Sequence, residues 1–265
     1  MKEVLIAALK EAGKIQLEYF NKVHRVEEKE SISSIVTEVD LLCDKQIQEI
    51  IKKEFADHNL LTEESGLIVN SSDFTWVIDP LDGTSNYAAG LPWFGVLIAL
   101  FDGNRPVLGG AYLPATNQLY VAEVGKGAYL NGKQLHIDEV KMKNSLFAFS
   151  TDYTTDFEFH EMGMKLFSYL LEQVRNIRST NSLVDHLMVA EGKFGGAVNM
   201  FTHIWDIAAP YLIIKEAGGE MSLLNGEEIL FDLSDGGFHT NYPVIAGATN
   251  IVDEMGPVLT HIFDE

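Results

Sequence analysis

Trp76-Val77-Ile78-Asp79-Pro80-Leu81-Asp82-Gly83-Thr84-Ser85-Asn86 is an apolar run that ends in two carboxylates and a small, polar turn. The aromatic and β-branched residues at its start read as a strand. Pro80 has no amide to give to a sheet ladder and pushes Asp79 towards extended backbone, so the strand is expected to stop with Asp79 at its end. Asp79 and Asp82 can then face one cavity. Gly83 lets the backbone approach a ligand closely, and the amides of Gly83 and Thr84, if they open a helix, form an anion-binding site. Taken alone, the fragment also fits an acidic surface turn. A calcium loop of the EF-hand type fits poorly: with Asp79 as position 1, the position 12 ligand would be Gly90 instead of Glu.

On the N-terminal side, Leu5, Ala8, Leu9, Ala12, Ile15 and Tyr19 recur at helical spacing, and a second periodic segment runs from Val39 through Cys43, Ile47 and Ile50 towards Phe55. Two helices are expected. Thr37 and Asp40 are close to a capping box and would start the second one. On the C-terminal side, Phe94–Phe101, Val107–Leu113 and Gln118–Val124 read as strands, with Trp93 and Phe94 as core residues at the start of the first. Asn131-Gly132 is a hairpin signal, and Asn225-Gly226 suggests a second hairpin. The polar segment Lys141–Ser145 is taken as a boundary between residues 1–143 and residues 144–265. Beyond it, strands at Leu146–Ser150, Gly196–Met200 and Val244–Thr249 alternate with helices at Asp156–Glu172, Ser182–Glu191 and Asp206–Ala217, then a closing helix. This alternation predicts a layered α/β fold.

The chain has 265 residues, 46% of them apolar and 22% charged, which suits one compact unit or two fused subdomains. The apolar runs Val4–Leu9 and Phe94–Phe101 are too short for a secretion signal or a membrane span, so a cytoplasmic protein without a membrane partner is expected. A single cysteine, Cys43, rules out an intramolecular disulfide and reads as a buried structural thiol. The formal charge of −20 argues against nucleic acid as a general partner. It leaves phosphorylated substrates open, provided that a local positive centre such as a divalent cation inverts the field at the site.

Further acids gather around the opening motif: Asp40 and Asp206 at expected helix starts, where each alone would be an ordinary cap, and Glu63-Glu64 in a loop. Together they form the oxygen-rich set that a hard cation needs. His203 reads as a hydrogen-bonded structural histidine, and Asp152 and Asp156 as solvated loop acids.

These segments resemble the inositol monophosphatase family. Trp-Val-Ile-Asp79-Pro-Leu-Asp82-Gly-Thr84-Ser-Asn is similar to its first signature, and Trp205-Asp206-Ile-Ala-Ala-Pro-Tyr-Leu-Ile-Ile-Lys-Glu-Ala-Gly-Gly219 to its second. Val36 to Asp40, Glu63-Glu64-Ser65 and Gly125 to Gly132 follow the family order, so the likeness covers nearly the whole chain. It implies a five-layer α/β/α/β/α sandwich and a magnesium-dependent, lithium-sensitive homodimer that hydrolyses a small phosphorylated metabolite, most simply inositol monophosphate or a sugar phosphate. Fructose-1,6-bisphosphate, histidinol phosphate, adenosine 3′,5′-bisphosphate and NADP are other substrates within the superfamily, and a non-catalytic metal-binding interaction protein is the alternative from a different class.

Residue by residue, the resemblance makes Glu63, Asp79 and the Leu81 carbonyl ligands of one Mg2+, and Asp79, Asp82 and Asp206 ligands of another. Glu63 and Thr84 position the attacking water, Gly83 and Thr84 receive the phosphate, and Asp40 supports Thr84. Asp82, Ser182, Asn199 and Asp206 meet the substrate, and Lys29 stands where the family often has a basic residue. The chain departs from the pattern at Asn199, where animal enzymes have a glutamate, at Thr180-Asn181-Ser182, where many relatives have Gly-Ser-Ala, and at Pro210 in the helix after Asp206.

Overall fold

The computed structural model describes residues 1–22, 26–28 and 35–263. The chain runs α1 (Lys2–Tyr19), β1 (Val26–Glu28), β2 (Ile35–Thr37), α2 (Glu38–Glu54), β3 (Asn59–Thr62), β4 (Gly66–Ile68), β5 (Phe74–Asp82), α3 (Thr84–Ala88), β6 (Gly95–Asp102), β7 (Arg105–Leu113), β8 (Gln118–Glu123), β9 (Gly127–Leu130) and β10 (Lys133–Gln134). It continues as β11 (Leu146–Ser150), α4 (Phe157–Gln173), β12 (Asn176–Arg178), α5 (Leu183–Ala190), β13 (Phe194–Asn199), α6 (Ile204–Glu216), β14 (Gly219–Leu223), β15 (Val244–Ala248) and α7 (Thr249–Phe263).

Eight strands form one sheet in the order β10-β9-β8-β7-β6-β5-β3-β4, in which only β3 and β5 pair in parallel. Five form another in the order β12-β11-β13-β15-β14, with β11 parallel to both of its neighbours. Helices α1 and α2 cover one face of the larger sheet, α5 and α6 lie between the sheets, and α4 and α7 cover the far face of the smaller one. The result is the expected five-layer α/β/α/β/α arrangement.

Strand β5 shows why the layers form. It is covered on both faces, so its residues are apolar almost without a break. Trp76 and Ile78 point into the core made with α1 and α2, whereas Val77 joins Leu97 and Ala99 in the core that α5 and α6 fill. Asp79 continues the second set and so faces α6.

In a regular strand, residues three apart lie on opposite faces, which would part Asp82 from Asp79. Here Asp79 pairs with Leu97 and Asp82 with Gly95, three residues against two, so one extra residue bulges out at Pro80-Leu81. The bulge turns both carboxylates to one side. The strand therefore runs through Pro80 rather than stopping at Asp79, because a bulge tolerates the missing proline amide. Gln16 of α1, fully buried, supports it by donating to the carbonyls of Pro80 (2.9 Å) and Gly95 (3.1 Å).

Most other expected elements are present within a residue or two at their ends, among them the α2 capping box on Thr37 and Asp40. Asn225-Gly226 makes a turn, with the Leu223 amide bonded to the Glu227 carbonyl, yet no strand returns from it. Phe94 is buried, whereas Trp93 is 40% exposed. Asp156 caps α4 by accepting from the Phe159 amide, and Asp152 accepts from Asn181 Nδ2, so both acids have structural partners. No helix among the described residues is long and apolar enough to cross a membrane. Lys29 lies outside the described residues.

Candidate active site

The bulge in β5, the turn after β3 and the start of α6 meet at one point. Asp79, Asp82 and Asp206 each present a carboxylate oxygen, and these oxygens all lie within 4.8 Å of one another. Asp79 is 2% exposed and Asp82 9%. Burial, and then the neighbouring Glu63, Asp82 and Asp206, push the Asp79 carboxyl well above the usual range. Asp82 is likewise pushed up by burial and by Asp206, with partial relief from the Leu183 amide. Carboxylates held this close cannot all carry full charge without a cation.

Each acid is held by backbone. The Glu63 amide donates to the Ile78 carbonyl (3.1 Å), carrying the β3–β5 pairing one residue further and setting the Glu63 side chain beside Asp79. Asp79 Oδ1 accepts from the Leu81 amide (3.0 Å), inside the bulge. Asp82 Oδ1 accepts from the amide of Leu183 at the start of α5 (2.6 Å). Asp206 sits in the first turn of α6 and accepts from the His203 amide (2.6 Å), which suits an acid at a helix N-terminus. Pro210 lies inside that helix, where it cannot donate to the Asp206 carbonyl. His203 stacks on Trp205 with ring centroids 4.8 Å apart.

Thr84 opens α3, and its hydroxyl lies 3.1 Å from Asp40 Oδ1 and 2.9 Å from the Leu81 carbonyl oxygen. Asp40 has two jobs: its other oxygen accepts from the Thr37 amide (2.9 Å) to cap α2. Gly83 precedes α3 with φ +80°, and a side chain there would put Cβ 2.4 Å from the Trp93 carbonyl oxygen and 3.2 Å from Ser182 Cβ. Glycine is required at this position on both counts.

Ser182 is buried, caps α5 through the Val184 amide (3.3 Å) and shares a hydrogen bond with Thr180 Oγ1 (2.9 Å). Asn199 ends β13 with its side chain folded back onto the Phe201 amide (3.1 Å), on the segment that leads into α6. The structure thus gathers Asp79, Asp82 and Asp206 tightly with Glu63 as their neighbour, and links Asp40, Leu81 and Thr84 to one another. Gln16, Leu183 and Asp185 hold parts of this assembly and carry no motif that marks them in the sequence.

Residues 1–255 match the Inositol monophosphatase family, and the chain belongs to it. It is 37% identical over 236 residues to a "Fructose-1,6-bisphosphatase/inositol-1-monophosphatase" of Aquifex aeolicus, covering 87% of this chain and 86% of the relative. It is also 35% identical over 228 residues to "Nus factor SuhB" of Haemophilus influenzae, covering 83% of each. Among solved structures, an IMPase of Thermotoga maritima superposes with a TM-score of 0.85 at 29% identity, covering 100% of this chain and 99% of that one.

Proposed function

We propose that this chain is a magnesium-dependent phosphatase acting on inositol monophosphate or a related small sugar phosphate. The observation that carries the reading is the packing of Asp79, Asp82 and Asp206 within 4.8 Å, with Glu63 as a neighbour of Asp79. An all-oxygen, mostly buried acidic set fits a hard divalent cation. Glu63, Asp79 and the Leu81 carbonyl would hold one magnesium, and Asp79, Asp82 and Asp206 a second. Bound there, magnesium would neutralise phosphate oxygens, acidify a water and stabilise the leaving oxygen.

The chain supplies the positioning. Thr84 has one hydroxyl proton, and both Asp40 and the Leu81 carbonyl are within reach to take it, so its lone pairs remain to accept from a water. Glu63 on the other side would accept that water's second proton, fixing the direction of attack and drawing charge onto the nucleophile. The amides of Gly83 and Thr84 would receive the phosphate, and Asp82, Ser182, Asn199 and Asp206 would border the leaving alcohol. We place the subdomain boundary between residues 143 and 144: the strands of the larger sheet end at Gln134 and those of the smaller one begin at Leu146. Lithium inhibition, a homodimer and a cytoplasmic setting belong to the same reading through the family.

The Aquifex relative is named for both activities, which supports fructose-1,6-bisphosphate and inositol monophosphate as trial substrates. The name "Nus factor" favours a second reading, an interaction protein with this fold. The intact acid set speaks for chemistry. A phosphate-release screen decides: inositol monophosphate, fructose-1,6-bisphosphate, histidinol phosphate, adenosine 3′,5′-bisphosphate and NADP, each with and without magnesium. Release that depends on magnesium is expected, and no release from any of the five would favour the second reading.

A further inference from the structure

Asp185 is the third residue of α5 and 4% exposed, a costly place for a carboxylate. An acid at this position ordinarily reaches back to the amide of the capping residue, here Ser182. Asp185 reaches further. Its Oδ2 accepts from the Asn181 amide (3.2 Å), the Thr180 amide (3.1 Å) and the hydroxyl of Ser150 at the end of β11 (2.8 Å). Asn181 stands at φ +50°, a left-handed conformation that asparagine tolerates better than other side chains but less freely than glycine. Bonds to a charged acceptor are roughly twice as strong as neutral ones, which suits a single oxygen holding three donors.

The loop held in this way and the start of α5 meet the Asp82–Asn86 segment at three points, one of them an acid of the cluster. The Thr180 carbonyl accepts from Asn86 Nδ2 (2.8 Å) in α3, Ser182 packs over Gly83, and the Leu183 amide donates to Asp82 Oδ1 (2.6 Å). We propose that Asp185 is a positioning residue, which fixes the Asp82 carboxylate for cation binding by clamping the 180–182 loop to β11. The inference rests on the phosphatase reading, in which Asp82 is a magnesium ligand.

Calorimetric titration of the chelator-stripped full chain with magnesium chloride tests it, beside thermal melts of the same samples. Asp185→Ala should weaken magnesium affinity about tenfold, the low end of what outlying partners of metal ligands contribute. Asp185→Asn keeps a neutral acceptor and should weaken it by about threefold. Adding Asn181→Gly to Asp185→Ala should restore part of the loss, since glycine takes the positive φ without a clamp. A role confined to stability would lower the melting temperature and leave magnesium affinity alone, so a folded Asp185→Ala protein with wild-type affinity overturns the proposal. If Asp185→Ala does not fold, Asp185→Asn decides in the same way. A wild-type chain that binds no magnesium sinks the phosphatase reading first, and this inference with it.

Discussion

Replacing Asp79 by Asn should make the protein more stable without metal and less responsive to it. The amide side chain keeps the oxygen that accepts from the Leu81 amide, so the bulge loses no hydrogen bond. What goes is charge. Two full charges 4.8 Å apart repel by about 3 kcal/mol at an effective dielectric constant of about 20, and Asp79 faces Asp82, Asp206 and Glu63 together. Burial already keeps part of this charge protonated, so the relief should be nearer ~1–2 kcal/mol. At about 2–4 °C per kcal/mol, Tm in EDTA should rise by roughly 2–8 °C. Magnesium at a hundred times its Kd should stabilise the wild type by about 2.7 kcal/mol and the variant far less, so their order of stability should reverse. Thermal melts in EDTA and in magnesium, with phosphate release on the same samples, make the comparison. An Asp79→Asn protein that melts below wild type in EDTA, or gains as much from magnesium, would refute the reasoning, as would full turnover.

Three further outcomes follow from the same structure. Asp79 and Asp82 hold protons in the folded chain that the unfolded chain releases near pH 4, so stability in chelator should fall as pH rises from about 4 through their raised native range; a Tm that climbs with pH over that window would count against the charge crowding. Asn199→Glu should shift relative kcat/KM towards inositol monophosphate over other sugar phosphates, by an amount within roughly 1–3 kcal/mol, and an unchanged ratio would leave Ser182 as the better specificity candidate. Cys43, fully buried with its thiol pushed far up by burial, should react with a thiol reagent only as the chain unfolds, and rapid labelling of native protein would disprove that.

The sequence makes the helices legible because apolar periodicity is local: Leu5 to Tyr19 and Val39 to Phe55 each show one buried stripe. The acids are legible too, singly as caps and jointly as an oxygen-rich set. The bulge is not. Pro80 looks like a stop when only its own backbone is considered, whereas the strand continues because Gln16, far back in α1, satisfies the carbonyls of Pro80 and Gly95. Strand β12 leaves no signal because its three residues, Asn176–Arg178, take their structure from parallel pairing with β11 rather than from their own composition. Trp93 departs from expectation for a related cause: Phe94 fills the core before β6 begins, and its neighbour is turned outward. Thr84 meeting Asp40 across 44 residues is foreseen only through family resemblance, since no periodicity links α2 to α3.

Asp79 and Asp82 belong to a strand of the larger sheet, while Asp206 rides on α6, which is wedged between the two sheets. Any ion gripping all three would tie that strand to that helix, and its hold would report how firmly α6 is seated on the sheet. Trimming a buried side chain on α6, such as Ile213 or Leu212, should therefore register first as a looser grip on the ion, well before the fold itself gives way. Distant packing and local chemistry would then be tuned by the same substitutions, and a bound cation would serve as a strain gauge for the packing of α6.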